Sequence, residues 1–249
     1  MSRIDPVLPQ SLPQNLVVCG FTTRIGGFSQ PPFDSLNLGT RTGDNPQHVA
    51  ENHRIFYRYA GVRKSQVADM EQVHGGHIRV VCSGGTAPAT DGLVTATPEV
   101  MLVVRVADCI PLLLYDPVHH SAGVVHCGWR SLTAGIAATA VHTMTKEAQS
   151  RPEDIIAVMG PSAGACCYEV GRETADQLCA ASIITRNGRL FADLKRVLRE
   201  QLRETGLAQG TIENISACTI CTETTYFSHR RDGANAGRMM GYIMMRKRC

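Results

Sequence analysis

Apolar positions along this chain fall mostly into short dense runs, and only four segments show the three-to-four spacing of an amphipathic helix. Runs around LVVCGF, residues 65–70, residues 77–81 and GLVT (92–95) predict strands of modest length. MLVVRV (101–106), PLLLYD (111–116) and SAGVVHCG (121–128) are apolar on both faces, the pattern of central strands. IIAVMG and GRMMGYIMM add two more, while residues 216–221, SACTIC, read as strand core. The helical segments are 46–60, 131–146, 169–181 and 192–205. The first opens with a capping Asn45 and with Pro46 in its first turn, and Val49, Ile55, Phe56 and Tyr59 recur along it. Pro152-Glu153-Asp154 is a turn before IIAVMG, Gly26-Gly27 ends the first strand, and Phe28 to Asn45 is a long ordered loop rich in Pro, Gly, Ser and Asn. Strands cluster without regular βαβ alternation. The expected fold is therefore α+β, a single domain over residues 1–249 with mixed β-sheet flanked by helices.

Composition narrows the class. With 43% hydrophobic and 19% charged residues the chain matches a soluble globular protein able to bury a large core. A net charge of +3, dispersed apart from the tail Arg246-Lys247-Arg248, does not favour nucleic acid as partner. No apolar stretch approaches the roughly 18–20 residues that span a bilayer, and the N-terminus has no apolar secretory core. A cytoplasmic location is expected, with most of the ten cysteines as free thiols acting as small buried hydrophobes.

Two titratable groups break the apolar pattern. Cys109 precedes PLLLYD, and His126 closes SAGVVH. If the hairpin loop is 117–120, Asp116 faces Ser121 and Pro111 faces His126. Cys109, two residues before Pro111, then shares the face of His126 at a diagonal position about 7–8 Å away at Cα, close enough for side chains to converge on one small ion. An odd-length loop would separate them. A catalytic zinc usually has three protein ligands and an open position. His74 in EQVHGGHIRV, beside Gly75-Gly76, is the most suggestive third candidate, and His77 is its competitor.

Other polar positions have a functional and a structural reading. Arg24, before Gly26-Gly27, can hold an anion together with backbone amides or form an internal ion pair. Trp129-Arg130 can supply stacking and charge at a pocket edge or pack the hairpin end. Cys166-Cys167 follow Gly160-Pro161-Ser162 but have no nearby histidine in sequence. Cys218-Thr-Ile-Cys221 has zinc-knuckle or redox spacing with no second CxxC beside it. Arg230-Arg231-Asp232-Gly233 is expected to be a turn with internal salt bridges.

Taken together, GFTTRIGGFSQPPFDSLNLGTRTGDNPQHVAENHR, QVHG, TDGLVT, ADCIPLLLYDP, VHCGWRSLTAGI, GPSAGACCYEVG and YFSHRRDGANAGR resemble one family. It is the YfiH, or laccase domain-containing, family, also called multicopper polyphenol oxidases or purine nucleoside phosphorylases. The matching stretches run in family order from residue 20 to about 238. The resemblance implies a metal-ligating, catalytic trio of His74, Cys109 and His126, normally holding Zn2+, with copper possible. It implies Arg24 and Asn37 as substrate or phosphate contacts, to which the residue reading adds Arg130. Cys127 and Ser131 stand where the family pattern has Ala and Gly, and His229 where Tyr is usual.

The implied activity is phosphorolysis of adenosine, inosine, guanosine or methylthioadenosine, with adenosine deamination, so the expected partners are a nucleoside and phosphate. One thiolate and two neutral imidazoles leave a zinc site a net charge of about +1 and an open position, where bound water acquires a pKa of about 7. Four rivals use the same residues. An amidase acting on UDP-N-acetylmuramoyl precursors would need the same ligands. A metal-free thiol hydrolase would use Cys109 and His126. A phenol oxidase needs many histidines to hold a trinuclear copper cluster, typically in HxH pairs, and the chain has no HxH. A non-enzymatic module would close the zinc with a fourth ligand, from Cys127 or His77.

Overall fold

The computed structural model describes residues 4–248. Along the chain the strands are β1 (Val17–Phe21), β2 (Val67–Met70), β3 (Ile78–Val80), β4 (Gly85–Ala87), β5 (Gly92–Thr95), β6 (Met101–Val106) and β7 (Ile110–Asp116). They continue with β8 (Ser121–Cys127), β9 (Ile156–Met159), β10 (Glu169–Val170), β11 (Ile183–Arg186), β12 (Arg189–Ala192), β13 (Ile212–Asn214) and β14 (Met239–Met245). The helices are α1 (Pro46–Ala60), α2 (Trp129–Thr133), α3 (Ile136–Ala148), α4 (Arg172–Asp176), α5 (Leu194–Glu204) and α6 (His229–Asp232).

Two mixed sheets form the body, ordered β1-β14-β6-β2-β4 and β13-β9-β7-β8-β5-β3, and β10-β12-β11 make a small third sheet. Both large sheets mix parallel and antiparallel pairs, as expected of an α+β fold. Strict alternation along each strand creates three cores. Phe21, Leu102, Val104, Ile243 and, from the second sheet, Leu113 and Val124 interlock between the sheets. The opposite face of β7 and β8, with Leu112, Leu114, Val125 and Cys127, packs on α3 and α5. The opposite face of the first sheet, with Met101, Val103 and Tyr242, packs on Phe56 and Ala60 of α1. The layers therefore run helix, sheet, sheet, helices.

The α1 prediction matches residue for residue: Asn45 caps by accepting from Gln47 N at 2.9 Å, Pro46 begins the helix, and Gly61 ends it at φ 68°. Its buried stripe differs. Asn52 faces inward with Val49 and Phe56, while Tyr59 is exposed. The polar Asn52 is tolerated because both ends of its amide are hydrogen-bonded. It donates to Ser29 Oγ, Ser35 O and Asn37 O and accepts from Phe28 N, which is how the long loop 28–45 is held.

Three predicted elements need correction. The helix expected over 131–146 is broken by Gly135, whose φ of 73° is left-handed, giving α2 and α3. The helix expected over 169–181 is only α4, preceded by β10, because the segment splits its apolar residues between a strand pairing with β12 and a short turn of helix. SACTIC is not strand core: Cys218 forms a single bridge to Ser162, and Cys221 is exposed.

Candidate metal centre and cavity

The hairpin is paired in the expected register, with Pro111 opposite His126 and Asp116 opposite Ser121. Strand alternation therefore sets His126 on the face toward the first sheet and its neighbour Cys127 on the helix side, buried in the core. Cys109 leaves the start of β7 on the His126 side, packed at the edge of the inter-sheet core. His74 arrives from the loop between β2 and β3. The ligand atoms of His74, Cys109 and His126 all lie within 4.8 Å of one another. His77 and Cys127 do not join them.

The backbone is bent to make this possible. His74 and Asp108 are non-glycine residues at positive φ, 60° and 89°, conformations that cost on the order of 1–3 kcal/mol each and persist only when the surroundings enforce them. Asp91 supplies the enforcement at His74. This fully buried carboxylate accepts from the backbone N–H groups of Val73, His74 and Gly75 at 2.7–3.2 Å, and from His126 Nδ1 at 2.9 Å. Asp108 is pinned through Thr219 Oγ1 and Arg230 N, each donating at 2.6 Å, while its own carbonyl accepts from Ala163 N at 2.8 Å. Gly128 is bare for a reason: a Cβ there would lie 3.0 Å from Cys109 Sγ and 3.4 Å from His74 Cδ2.

The trio is strongly coupled electrostatically. Burial opposes ionisation of Cys109, yet the charge and hydrogen bonds of His126 and His74 outweigh it and bring the thiol down to about 6. Burial likewise disfavours charge on His126, but the Cys109 thiolate and Asp91 lift it to about 9. Burial pushes the Asp91 carboxyl up, and the hydrogen bonds it accepts from His126 and the loop amides hold it below the usual range. A divalent ion fits this donor set: a thiolate, two imidazoles, and a carboxylate fixing one imidazole's tautomer through its other nitrogen.

The trio lies on the wall of a cavity of about 970 Å³, roomy for a ligand of nucleoside size. Trp129 and Arg130 line it, with the guanidinium 4.2 Å from the indole centroid. Of the arginines on the wall, Arg130 alone makes no side-chain hydrogen bond within the described residues. Arg41, Arg54 and Arg105 pair with Glu71, Glu51 and Asp69, and Arg230 and Arg238 donate to backbone carbonyls. His229 also lines the cavity, so of the three departures from the family pattern it is the one positioned to meet a ligand.

Arg24 and Asn37 are placed elsewhere. Arg24 donates to Asp34 O, Asp34 Oδ1 and Glu223 O and lies over Phe227, the ion-pair alternative for this residue. Asn37 is fully buried and saturated: its amide donates to Thr42 Oγ1 and Asp44 Oδ2, and its oxygen accepts from Gly39 N and Arg238 N. Neither lines the cavity. Sequence reasoning missed Asp91, although it sits in the quoted TDGLVT stretch; a carboxylate ahead of a strand carries no signal until the hairpin pairs. It also missed His53 on the cavity wall, whose Nε2 lies 3.1 Å from Leu38 O and whose Nδ1 is buried without a partner.

Two mixed sheets with a convergent His/Cys/His trio on the wall of a large cavity define a class: an α+β protein with a candidate metal-binding trio beside a small-molecule-sized pocket. Residues 18–246 match the family model described as multi-copper polyphenol oxidoreductase laccase, and the chain belongs to that family. It is 38% identical to the purine nucleoside phosphorylase of Deinococcus radiodurans, covering 98% of this chain and 95% of that one. It is 34% identical to purine nucleoside phosphorylase YfiH of Escherichia coli, covering 97% and 98%. The crystal structure of YlmD from Geobacillus stearothermophilus superposes with a TM-score of 0.92 at 32% identity over 99% and 98% of the two chains. Among the described residues no histidine cluster of the kind a multicopper relay requires is present. No helix of the described residues is long and apolar enough to cross a membrane.

Proposed function

We propose that the chain is a zinc-dependent purine nucleoside phosphorylase, with His74, Cys109 and His126 as metal ligands. The observation that carries this reading is the convergence of those three donors on the wall of a nucleoside-sized cavity that also presents an unpaired arginine. The names of the relatives, purine nucleoside phosphorylases over nearly the whole chain, support the substrate class.

A zinc ion held by the trio would supply an open coordination position and Lewis acidity. The protein's own groups do the rest. Arg130, spread over Trp129 and free of other hydrogen bonds, binds phosphate through its guanidinium fork. Phosphate oxygen forms a bond to C1′ of the nucleoside while the C1′–N9 bond breaks, its electron pair leaving with the purine, which is then protonated. His53 lines the cavity wall with its Nε2 held against Leu38 O. Asp91 keeps His126 oriented through each turnover. With water in place of phosphate, attack at C6 of adenosine gives inosine and ammonia, the second activity we assign to this site.

Chromatography after incubation with adenosine or inosine, with and without phosphate, tests the reading, with Cys109→Ala as blank. Free base appearing only with phosphate supports phosphorolysis, and inosine from adenosine regardless of phosphate supports deamination. No turnover in any tube overturns nucleoside chemistry and moves the UDP-N-acetylmuramoyl-precursor amidase to the front. Zinc- and copper-loaded protein compared in the same assay identify the active ion.

A further inference from the structure

A second cluster of soft ligands lies outside this cavity's metal centre. The loop between β9 and β10 carries the doublet Cys166-Cys167, and the loop after β13 carries Cys218 and Cys221. More than fifty residues separate the two pairs in sequence, yet the four Sγ atoms all lie within 4.8 Å of one another. Cys221 Sγ is 3.4 Å from Cys166 Sγ and 3.0 Å from Cys167 Sγ, and all four residues are free thiols.

We propose that Cys166, Cys167, Cys218 and Cys221 form a second metal centre, a closed tetrathiolate zinc site that staples two loops beside the cavity. Four sulfurs at about 2.3 Å from a tetrahedral zinc lie about 3.8 Å apart, so the observed spacing brackets the required one and shifts of several tenths of an ångström complete the geometry. The backbone closes tightly around the sulfurs. Gly164 N donates to Cys218 Sγ at 3.3 Å. A Cβ on Gly164 would crowd the quartet, lying 3.2 Å from both Cys166 Sγ and Cys218 Cβ. Burial raises the Cys218 thiol, but the backbone N–H groups of Cys221 and Gly164 outweigh it and bring the thiol down, while burial pushes Cys166 up and the hydrogen bond with Cys221 pushes Cys167 up. Without a cation, four thiols this close hold one another's protons, and a dication removes that conflict. The complex would carry a charge of about −2, and Arg186, donating to the carbonyls of Ala165 and Cys166, stands beside it.

The staple has something to hold. Between the two loops the main chain contributes one isolated bridge, Ser162 with Cys218. Yet these loops carry Tyr168 on the cavity wall, with Arg230 4.8 Å above its ring, and Thr219, which fixes Asp108 next to the ligand Cys109. Four ligands with no open position mark a structural ion. The proposal is independent of the nucleoside reading, and its test uses no substrate.

The experiment is metal analysis of protein purified in reductant with zinc supplied, compared among wild type, Cys109→Ala and the Cys218→Ser/Cys221→Ser double variant. The expected content is about two equivalents per chain in wild type and about one in each variant. Cobalt loaded into Cys109→Ala should give the intense visible bands and sulfur-to-cobalt charge transfer of a tetrahedral tetrathiolate. A folded Cys109→Ala protein that retains no zinc and gives no such spectrum overturns the proposal, even if the double variant fails to fold. So does mass spectrometry finding the quartet as disulfides in reductant-purified protein.

Discussion

The trio of His74, Cys109 and His126 and the quartet of Cys166, Cys167, Cys218 and Cys221 each bring their ligand atoms within 4.8 Å of one another, but from different kinds of structure. Two of the trio, Cys109 and His126, hang on a buried hairpin of fixed register, and His74 comes from a loop that the buried Asp91 carboxylate ties to His126. The quartet sits on irregular loops with two of its four cysteines exposed, tied to the body by the Ser162–Cys218 bridge and by side-chain bonds from Arg186, Arg231 and Thr219. The trio mixes nitrogen and sulfur and leaves a position open to a cavity; the quartet is all sulfur and closed. A site for chemistry is held by the fold, whereas a closed ion can add a tie between loops of little regular structure.

The largest expected effect separates the two directly. Cys109→Ala or His126→Ala should lower nucleoside turnover at least about 1,000-fold while leaving the circular dichroism spectrum unchanged, because an open site contributes chemistry rather than architecture. A variant that unfolds instead would erase the distinction. The quartet should behave in the opposite sense: Cys218→Ser/Cys221→Ser is expected to lower Tm by roughly 5–10 °C. An unchanged melting curve would remove its structural role.

Acid sharpens the comparison from the cavity side. Burial and the nearby Arg105 charge hold His53 down to about 4, against 6.5 for a free imidazole. Between those values the unfolded chain binds a proton that the folded chain refuses. Stability is therefore fully present above about 6.5 and declines as pH falls toward 4, by up to roughly 3 kcal/mol from this group. Urea titrations across that range should show the decline, and His53→Gln should flatten it. Asp91→Asn should weaken metal binding and turnover about 10–100-fold, the usual cost of losing the partner that orients a ligating histidine; metal titration checks it. The smallest effect is expected one residue beyond a ligand. Cys127→Ala, on the opposite face of β8, should cost about 1 kcal/mol of stability and leave metal content as in wild type.

Much of the architecture was legible in the residue order because it rests on local rules. Asn45-Pro46 and Gly61 bound α1, the both-faces-apolar runs became β6, β7 and β8, and the loop length 117–120 alone fixed the register that unites Cys109 with His126. Local rules failed where a segment's fate depends on a distant partner. The 169–181 segment became β10 and α4 because β12 was there to pair with part of it. Arg24 and Asn37 have the residue types of anion and substrate contacts, but Asp34, Glu223, Thr42 and Asp44 claim their hydrogen bonds.

The sequence by itself therefore determined the strand and helix periods, the hairpin and the juxtaposition of Cys109 with His126, since each follows from spacing within one stretch of chain. Through family likeness it also selected His74. Only the tertiary structure decided that Asp91 holds His126, that Arg130 rather than Arg24 faces the cavity, and that two cysteine pairs more than fifty residues apart meet. Those are contacts between segments, and side-chain chemistry becomes a site only when packing decides which groups share a space and which are already satisfied.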